Sequence, residues 1–303
     1  MTTIRIGTRG SQLALWQANE VSKRLQEQGY RPEILTVKTT GDKRQDVSLA
    51  EVGGKGLFIK ELEEALERRE IDIAVHSLKD VPSIIPAHFT LAAFLERADP
   101  RDAWVHPERL PIDALPAGAV IGTSSPRRRA QLMERFPRFQ VEPIRGNVET
   151  RIAKARAGLY AGIILAAAGL GRLGRDSEIT SWFDVDEMIP AAGQGIVTIE
   201  TLAGNAAAID AARSINHAAS EQAALTERGV LQRFGTRLDC YSAVAVHATM
   251  LDGEMTVRAF FADYDATRSI RTTRRGGDPK QLVAAVYDDL IAKGAEELLC
   301  AER

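Results

Sequence analysis

Residues 76–82 read HSLKDVP and set His76, Ser77, Lys79 and Asp80 side by side, directly after the apolar residues Ile71, Ile73, Ala74 and Val75. A buried strand that ends in such a tip can present a fixed carboxylate to a ligand. Asp80, beside Lys79, would then stabilise a positive charge developing on an otherwise anionic substrate. Taken alone, the motif reads first as a simple Lys79/Asp80 surface turn.

A second chemical cluster begins at GTSSPRRRAQL (122–132). Ser124 or Ser125 can cap a helix there, and Pro126 suits its first turn. Three arginines follow, although cations at the positive end of a helix dipole cost helix stability. A bound anion would satisfy the free amides and the guanidinium groups together. RGNVETR adds Arg145 and Arg151 at the end of the next strand. From Arg127 to Arg156 the chain carries nine basic residues against three acids, a local excess of six. Each of these arginines alone would also fit a solvated basic turn; the set points to anion binding. Of the 39 basic residues 30 are arginine, the side chain that grips carboxylates in a planar fork. The net charge of -2 provides no global field for nucleic acid, and only Phe136 and Phe139 supply aromatics to the basic segment.

Other motifs lack their context. GLGRLG (169–174) matches a dinucleotide fingerprint, but RDSEITSWFDVDE supplies neither the amphipathic helix nor the acid-tipped strand that should follow. Its glycines are expected to end a short helix. GGKG (53–56) lacks the first glycine and the Ser/Thr of a phosphate loop. The five histidines are scattered without ligand spacing, so no metal is expected. Cys240 and Cys300 are too few for a disulfide scaffold and fit a reducing compartment. Cys240 reads either as a small buried hydrophobe or as a nucleophile or attachment point.

The elements that must position these residues follow a βαβ rhythm. IRIGT (4–8) and EILTVKT (33–39) read as strands around a helix ending at Gly29, and a further helix leads into IDIAVH. Beyond a charged, proline-broken hinge (96–103), AVIGT, VEPI and GIILAAA are strands separated by the helices of SSPRRRAQLMERF and NVETRIAKARAG. IPAAGQG (189–195) is a second crossing and IVTIET a strand, which implies a cleft between two α/β lobes and a chain that returns to the first. From Ala218 a long helix, three strands and a final helix over about 279–299 form a smaller α+β unit. The expected domains are therefore 1–97 with 196–216, 98–195, and 217–303. No apolar run reaches the ~18 residues of a membrane span, and a cytoplasmic protein is expected.

In order along the chain, GTRGSQLALWQ (7–17), VGGKGLFIKELE (52–63), DIAVHSLKDVP (72–82), GTSSPRRRAQL, IRGNVETR (144–151), ILAAAGLGRLG (164–174) and IPAAGQG resemble successive blocks of the porphobilinogen deaminase family. The resemblance implies two lobes like those of periplasmic binding proteins, a small third domain, and a monomeric transferase. Such an enzyme joins four porphobilinogen molecules head to tail, releasing ammonia, to give hydroxymethylbilane. It also implies a dipyrromethane cofactor, bound by thioether to Cys240. Asp80 matches the family's catalytic acid, with Lys79 assisting. Ser77, Thr123, Ser125, Arg127, Arg128, Arg145 and Gly146 would hold the cofactor with them; Arg9, Ser11, Lys55, Phe58, Arg151, Arg172 and Gln194 would hold substrate. The chain departs from the family pattern at TRLDCYSAV, where a glycine pair usually precedes the cysteine, and at Pro126, where an apolar residue is usual. The alternative to an enzyme is a non-catalytic two-lobed module that binds a small anion.

Overall fold

The computed structural model describes residues 2–38, 59–238 and 242–300. The strands are β1 (Thr3–Thr8), β2 (Arg31–Thr36), β3 (Ile73–Ser77), β4 (Phe89–Phe94), β5 (Asp102–Val105), β6 (Val120–Gly122), β7 (Gln140–Glu142), β8 (Gly162–Ala166), β9 (Ser181–Trp182), β10 (Val197–Leu202), β11 (Ala243–Leu251), β12 (Glu254–Ala262) and β13 (Ser269–Gly276). The helices are α1 (Gln12–Glu27), α2 (Lys60–Glu67), α3 (Pro126–Arg135), α4 (Val148–Arg156), α5 (Ala167–Arg172), α6 (Ala206–Arg213), α7 (Ala218–Phe234), α8 (Pro279–Ala292) and α9 (Ala295–Cys300). The fold is α/β, as the alternating pattern predicts.

Two compact units emerge. The first comprises Met1–Ala98 and Gly195–Leu225; the second comprises Asp99–Gln194 and Thr226–Arg303. In the first unit the sheet order is β2-β1-β3-β10-β4. β1 runs parallel to β2 and β3, while β10 lies antiparallel between β3 and β4. The returning chain thus completes the first sheet, as the two crossings imply. Its core is aliphatic: Ile4 and Ile6 of β1 and Ile73 and Val75 of β3 pack with Ala18, Val21 and Leu25 of α1 and with Ala208, Ala211 and Ala212 of α6.

The second unit repeats this plan in the order β7-β6-β8-β5-β9, with β6 parallel to β7 and β8 and β5 antiparallel to β8. It also contains the antiparallel sheet β11-β12-β13. The alanine-rich faces of β11 and β12 (Ala243, Ala245, Ala262) meet Ala130 of α3 and Ile189, so α3 lies against both sheets of the unit.

Three local expectations shift. The second strand starts earlier, at Arg31, because all six of its residues find register partners along β1. The C-terminal helix is two helices, since Gly294 adopts φ +89 between α8 and α9, a left-handed turn that ends a helix. Strands β4 and β5 were not read from the sequence. The glycines of GLGRLG do close a short helix, with Gly174 at φ +64 after α5.

Candidate functional site

In each sheet the residues singled out above follow the C-terminal ends of parallel strands, where ligands of open α/β sheets collect. In the first unit Arg9 and Ser11 follow β1, and Lys79 and Asp80 follow its neighbour β3. Ser11 caps α1, its Oγ accepting from the Ala14 amide at 3.3 Å.

The tip of β3 divides into an inward and an outward half. His76 is buried and its Nε2 lies 3.0 Å from Oε2 of buried Glu200 on β10, so it belongs to the sheet interior. Ser77 Oγ accepts a 2.7 Å hydrogen bond from the amide of buried Gln17 on α1. The Leu78 amide donates to the Ile196 carbonyl at 3.0 Å, and the Leu78 side chain is buried. A single 3-10 turn over Leu78–Asp80 then turns the chain outward. Lys79 is half-buried, whereas Asp80 is exposed and makes no hydrogen bond or ion pair among the described residues.

In the second unit Thr123, Ser125, Arg127 and Arg128 follow β6, Arg145 and Gly146 follow β7, and Arg172 closes α5 after β8. Of the two candidate caps, Ser125 caps α3, accepting from the Arg128 amide at 3.4 Å, while Ser124 Oγ donates to the Ile144 carbonyl at 2.7 Å. Thr123 is buried and accepts from the Ser125 amide at 3.3 Å. Gly146 has φ +112, and a Cβ there would lie 2.6 Å from the Thr150 methyl, so no other residue fits this turn. Around it Asn147 caps α4, Arg151 Nε donates to the Gly146 carbonyl at 2.8 Å, and Lys154 Nζ donates to the Arg145 carbonyl at 3.1 Å. The half-buried Arg145 guanidinium has no partner among the described residues.

Arg127 and Arg128 converge on one carboxylate absent from the sequence reading. Asp102, the first residue of β5, is fully buried. Its Oδ2 accepts from Arg127 Nη1 at 2.7 Å, and its Oδ1 accepts from Arg128 Nε at 2.9 Å and Nη2 at 2.7 Å. Arg127 Nη1 also donates to the Ile189 carbonyl at 2.8 Å and Arg128 Nη1 to the Ile164 carbonyl at 3.0 Å. Gln194 is buried as well, its amide nitrogen donating to the Pro100 carbonyl at 2.7 Å and to Asp102 Oδ1 at 3.0 Å. Burial pushes the Asp102 carboxyl up, but the charges and hydrogen bonds of Arg127 and Arg128 outweigh it and hold the group well below the usual carboxylate range.

Because the folded value lies below the unfolded value of about 3.9, the stabilisation from ionised Asp102 is complete above that pH and is lost as pH falls towards the folded value. Asp102→Asn should therefore shrink the stability difference between roughly pH 6 and pH 3, measured by urea unfolding. An unchanged difference would assign the acid sensitivity to other carboxylates.

A sequence signal for Asp102 exists in hindsight: an acid inside the short apolar strand DAWV needs a buried partner. Gln17 carries a similar signal, being polar on the α1 face that holds Ala14, Ala18 and Val21. Lys55, Phe58 and Cys240 lie outside the described residues.

The profile of the family described as "Porphobilinogen deaminase, dipyromethane cofactor binding domain" matches residues 4–210. "Porphobilinogen deaminase" of Nitrosomonas europaea is 45% identical over 303 residues, covering 98% of this chain and 97% of that protein. That of Acidithiobacillus ferrooxidans is 43% identical over 299 residues, covering 98% and 97%. Among solved structures, "Crystal Structure of the Methionine Binding Protein, MetQ" aligns with a TM-score of 0.47 at 10% identity, over 73% of this chain and 90% of that one. A likeness at that level carries no argument about ligand.

Proposed function

Because the chain belongs to the porphobilinogen deaminase family, we propose a division of labour among its residues for making hydroxymethylbilane from porphobilinogen on a dipyrromethane cofactor. The reaction joins four substrate molecules and releases ammonia at each joining. Each substrate unit brings an acetate and a propionate. The growing chain is therefore a polyanion whose pyrrole N–H groups are the only donors along its spine.

The residues present suit such a group. Arg145 offers a guanidinium with no protein partner among the described residues, and Arg127 uses only Nη1 on the protein, so carboxylate-binding capacity remains on the second unit. We assign Arg127, Arg128, Arg145, Thr123, Ser125 and the Gly146 turn to the cofactor, and Arg9, Ser11, Lys55, Phe58, Arg151 and Arg172 to substrate. When bound, the dipyrromethane supplies the primer to which the first substrate unit is joined; Cys240 is its attachment point.

Asp80 is the catalytic residue. The observation that carries this assignment is its exposed carboxylate, which has no partner among the described residues, on a turn anchored through the Ser77 hydroxyl and the Leu78 amide. A carboxylate so placed accepts from pyrrole N–H groups and stabilises the positive charge that develops on substrate as ammonia leaves. Lys79 orients the departing amine or a carboxylate, and Ser77, held by Gln17, fixes the base of the turn. A monomer in the cytoplasm completes the reading: two cysteines in the whole chain suit a reducing compartment, and among the described residues no helix is long and apolar enough to cross a membrane.

Intact mass with peptide mapping tests this directly. The purified chain should carry, or acquire on incubation with porphobilinogen, the mass of two pyrrole units on Cys240. A chain that stays unmodified under those conditions would leave the anion-binding module as the surviving reading.

A further inference from the structure

We propose that Asp102 and Gln194 are positioning residues for cofactor capture, a buried clamp that presets Arg127 and Arg128 for carboxylate binding. The inference rests on the assignment of those two arginines to the cofactor. Both guanidiniums are nine-tenths or more buried, so in the absence of a counter-ion they would repel each other in a poorly solvated site. One fully buried carboxylate serves both, leaving the cluster with a net charge of +1 (two cations minus one anion). A second internal carboxylate would neutralise it. Two nearby acids of the unit are engaged elsewhere, Glu134 with Arg271 and Glu187 with Arg135. The donors that Arg127 leaves unused are what a ligand anion can meet.

The clamp also fixes direction. Arg128 is held at Nε, Nη1 and Nη2 by Asp102 and the Ile164 carbonyl, and Arg127 at Nη1 by Asp102 and the Ile189 carbonyl. Of the five N–H donors on Arg127, two are spent on these acceptors and three remain, on Nε and Nη2. A ligand carboxylate therefore meets an arginine whose rotamer is already chosen, so ordering that side chain does not oppose binding. Gln194 donates to the same Asp102 Oδ1 and to the Pro100 carbonyl, bracing the carboxylate against rotation.

The test measures capture. The full-length chain and its Asp102→Asn, Asp102→Glu, Gln194→Met and Arg127→Ala variants are incubated with graded porphobilinogen, and the fraction gaining two pyrrole units is read by intact mass. Asp102→Asn should raise the half-loading concentration by at least about tenfold with an unchanged circular dichroism spectrum, and Gln194→Met by roughly threefold, because the carboxylate keeps both arginines and loses only its amide brace. Asp102→Glu, which restores the charge, should recover part of the loss; a merely structural role would lower the melting temperature without moving the half-loading concentration. Loading of Asp102→Asn at the wild-type concentration overturns the proposal. Should Asp102→Asn not fold, an unaltered half-loading concentration for Gln194→Met overturns it instead. Arg127→Ala separates the two layers. If it too loads normally, the arginine assignment itself has failed; if it alone fails to load, only the positioning role is lost.

Discussion

Asp80→Ala is expected to lower kcat about a hundredfold to a thousandfold, the cost of removing one well-aimed electrostatic group, and to leave the fold intact. The structure makes the two halves of this statement separable. Asp80 is exposed and joined to nothing among the described residues, so its removal breaks no internal hydrogen bond and the melting temperature should barely change. The scaffold of the turn resides in other residues, namely the Leu78 amide on the Ile196 carbonyl and the Gln17–Ser77 hydrogen bond. Asp80→Asn sharpens the test, because asparagine keeps the shape and an acceptor but loses the charge. Ammonia release from porphobilinogen measured for both variants decides. Equal impairment assigns the effect to charge, near-normal activity of Asp80→Asn assigns it to hydrogen bonding, and full activity of Asp80→Ala removes the residue from the mechanism.

Gly162→Ala is the largest stability change expected. Gly162 opens β8 in register with Ile121 of β6, and a Cβ at its position would lie 2.1 Å from Cη2 and 2.5 Å from Cζ2 of Trp104. Trp104 cannot give way easily, since it is fully buried and its indole N–H donates to the Leu110 carbonyl at 2.9 Å. Overpacking of this kind costs typically 1–3 kcal/mol; against an immobile ring, about 3 kcal/mol or more is expected, seen as a lower denaturation midpoint in urea. Trp104→Phe in the same chain frees the space, so the double variant should lose less than the two single losses added together. Strict additivity would show that the ring is not the obstacle.

The Gly162 contact with Trp104 also illustrates where the sequence is informative. GIILAAA reads as a buried strand from composition alone, but that its first glycine lies under Trp104, 58 residues earlier in the chain, comes only from the β5–β8 pairing. The β3 tip behaves similarly. Its polar residues are evident in HSLKDVP, yet their sorting into an inward His76 and an outward Asp80 depends on Glu200 and Ile196, both contributed by chain that returns after the second crossing.

What the sequence by itself determined was local: the βαβ alternation, a serine cap for α3 and the ordered family blocks from Gly7 to Gly195. Each is written within a few positions, because caps, turns and amphipathic spacing join residues no more than about four apart. The tertiary structure alone decided which charges pair with each other inside the fold. Arg127 and Arg128 read as two equivalent free cations in the sequence; in the fold they share Asp102, 25 and 26 positions away, and Gln194 reaches the same carboxylate across 92. No spacing rule encodes such a meeting. A buried charge takes whichever partner the packing of the sheet brings within hydrogen-bond distance, and that is a property of the whole unit.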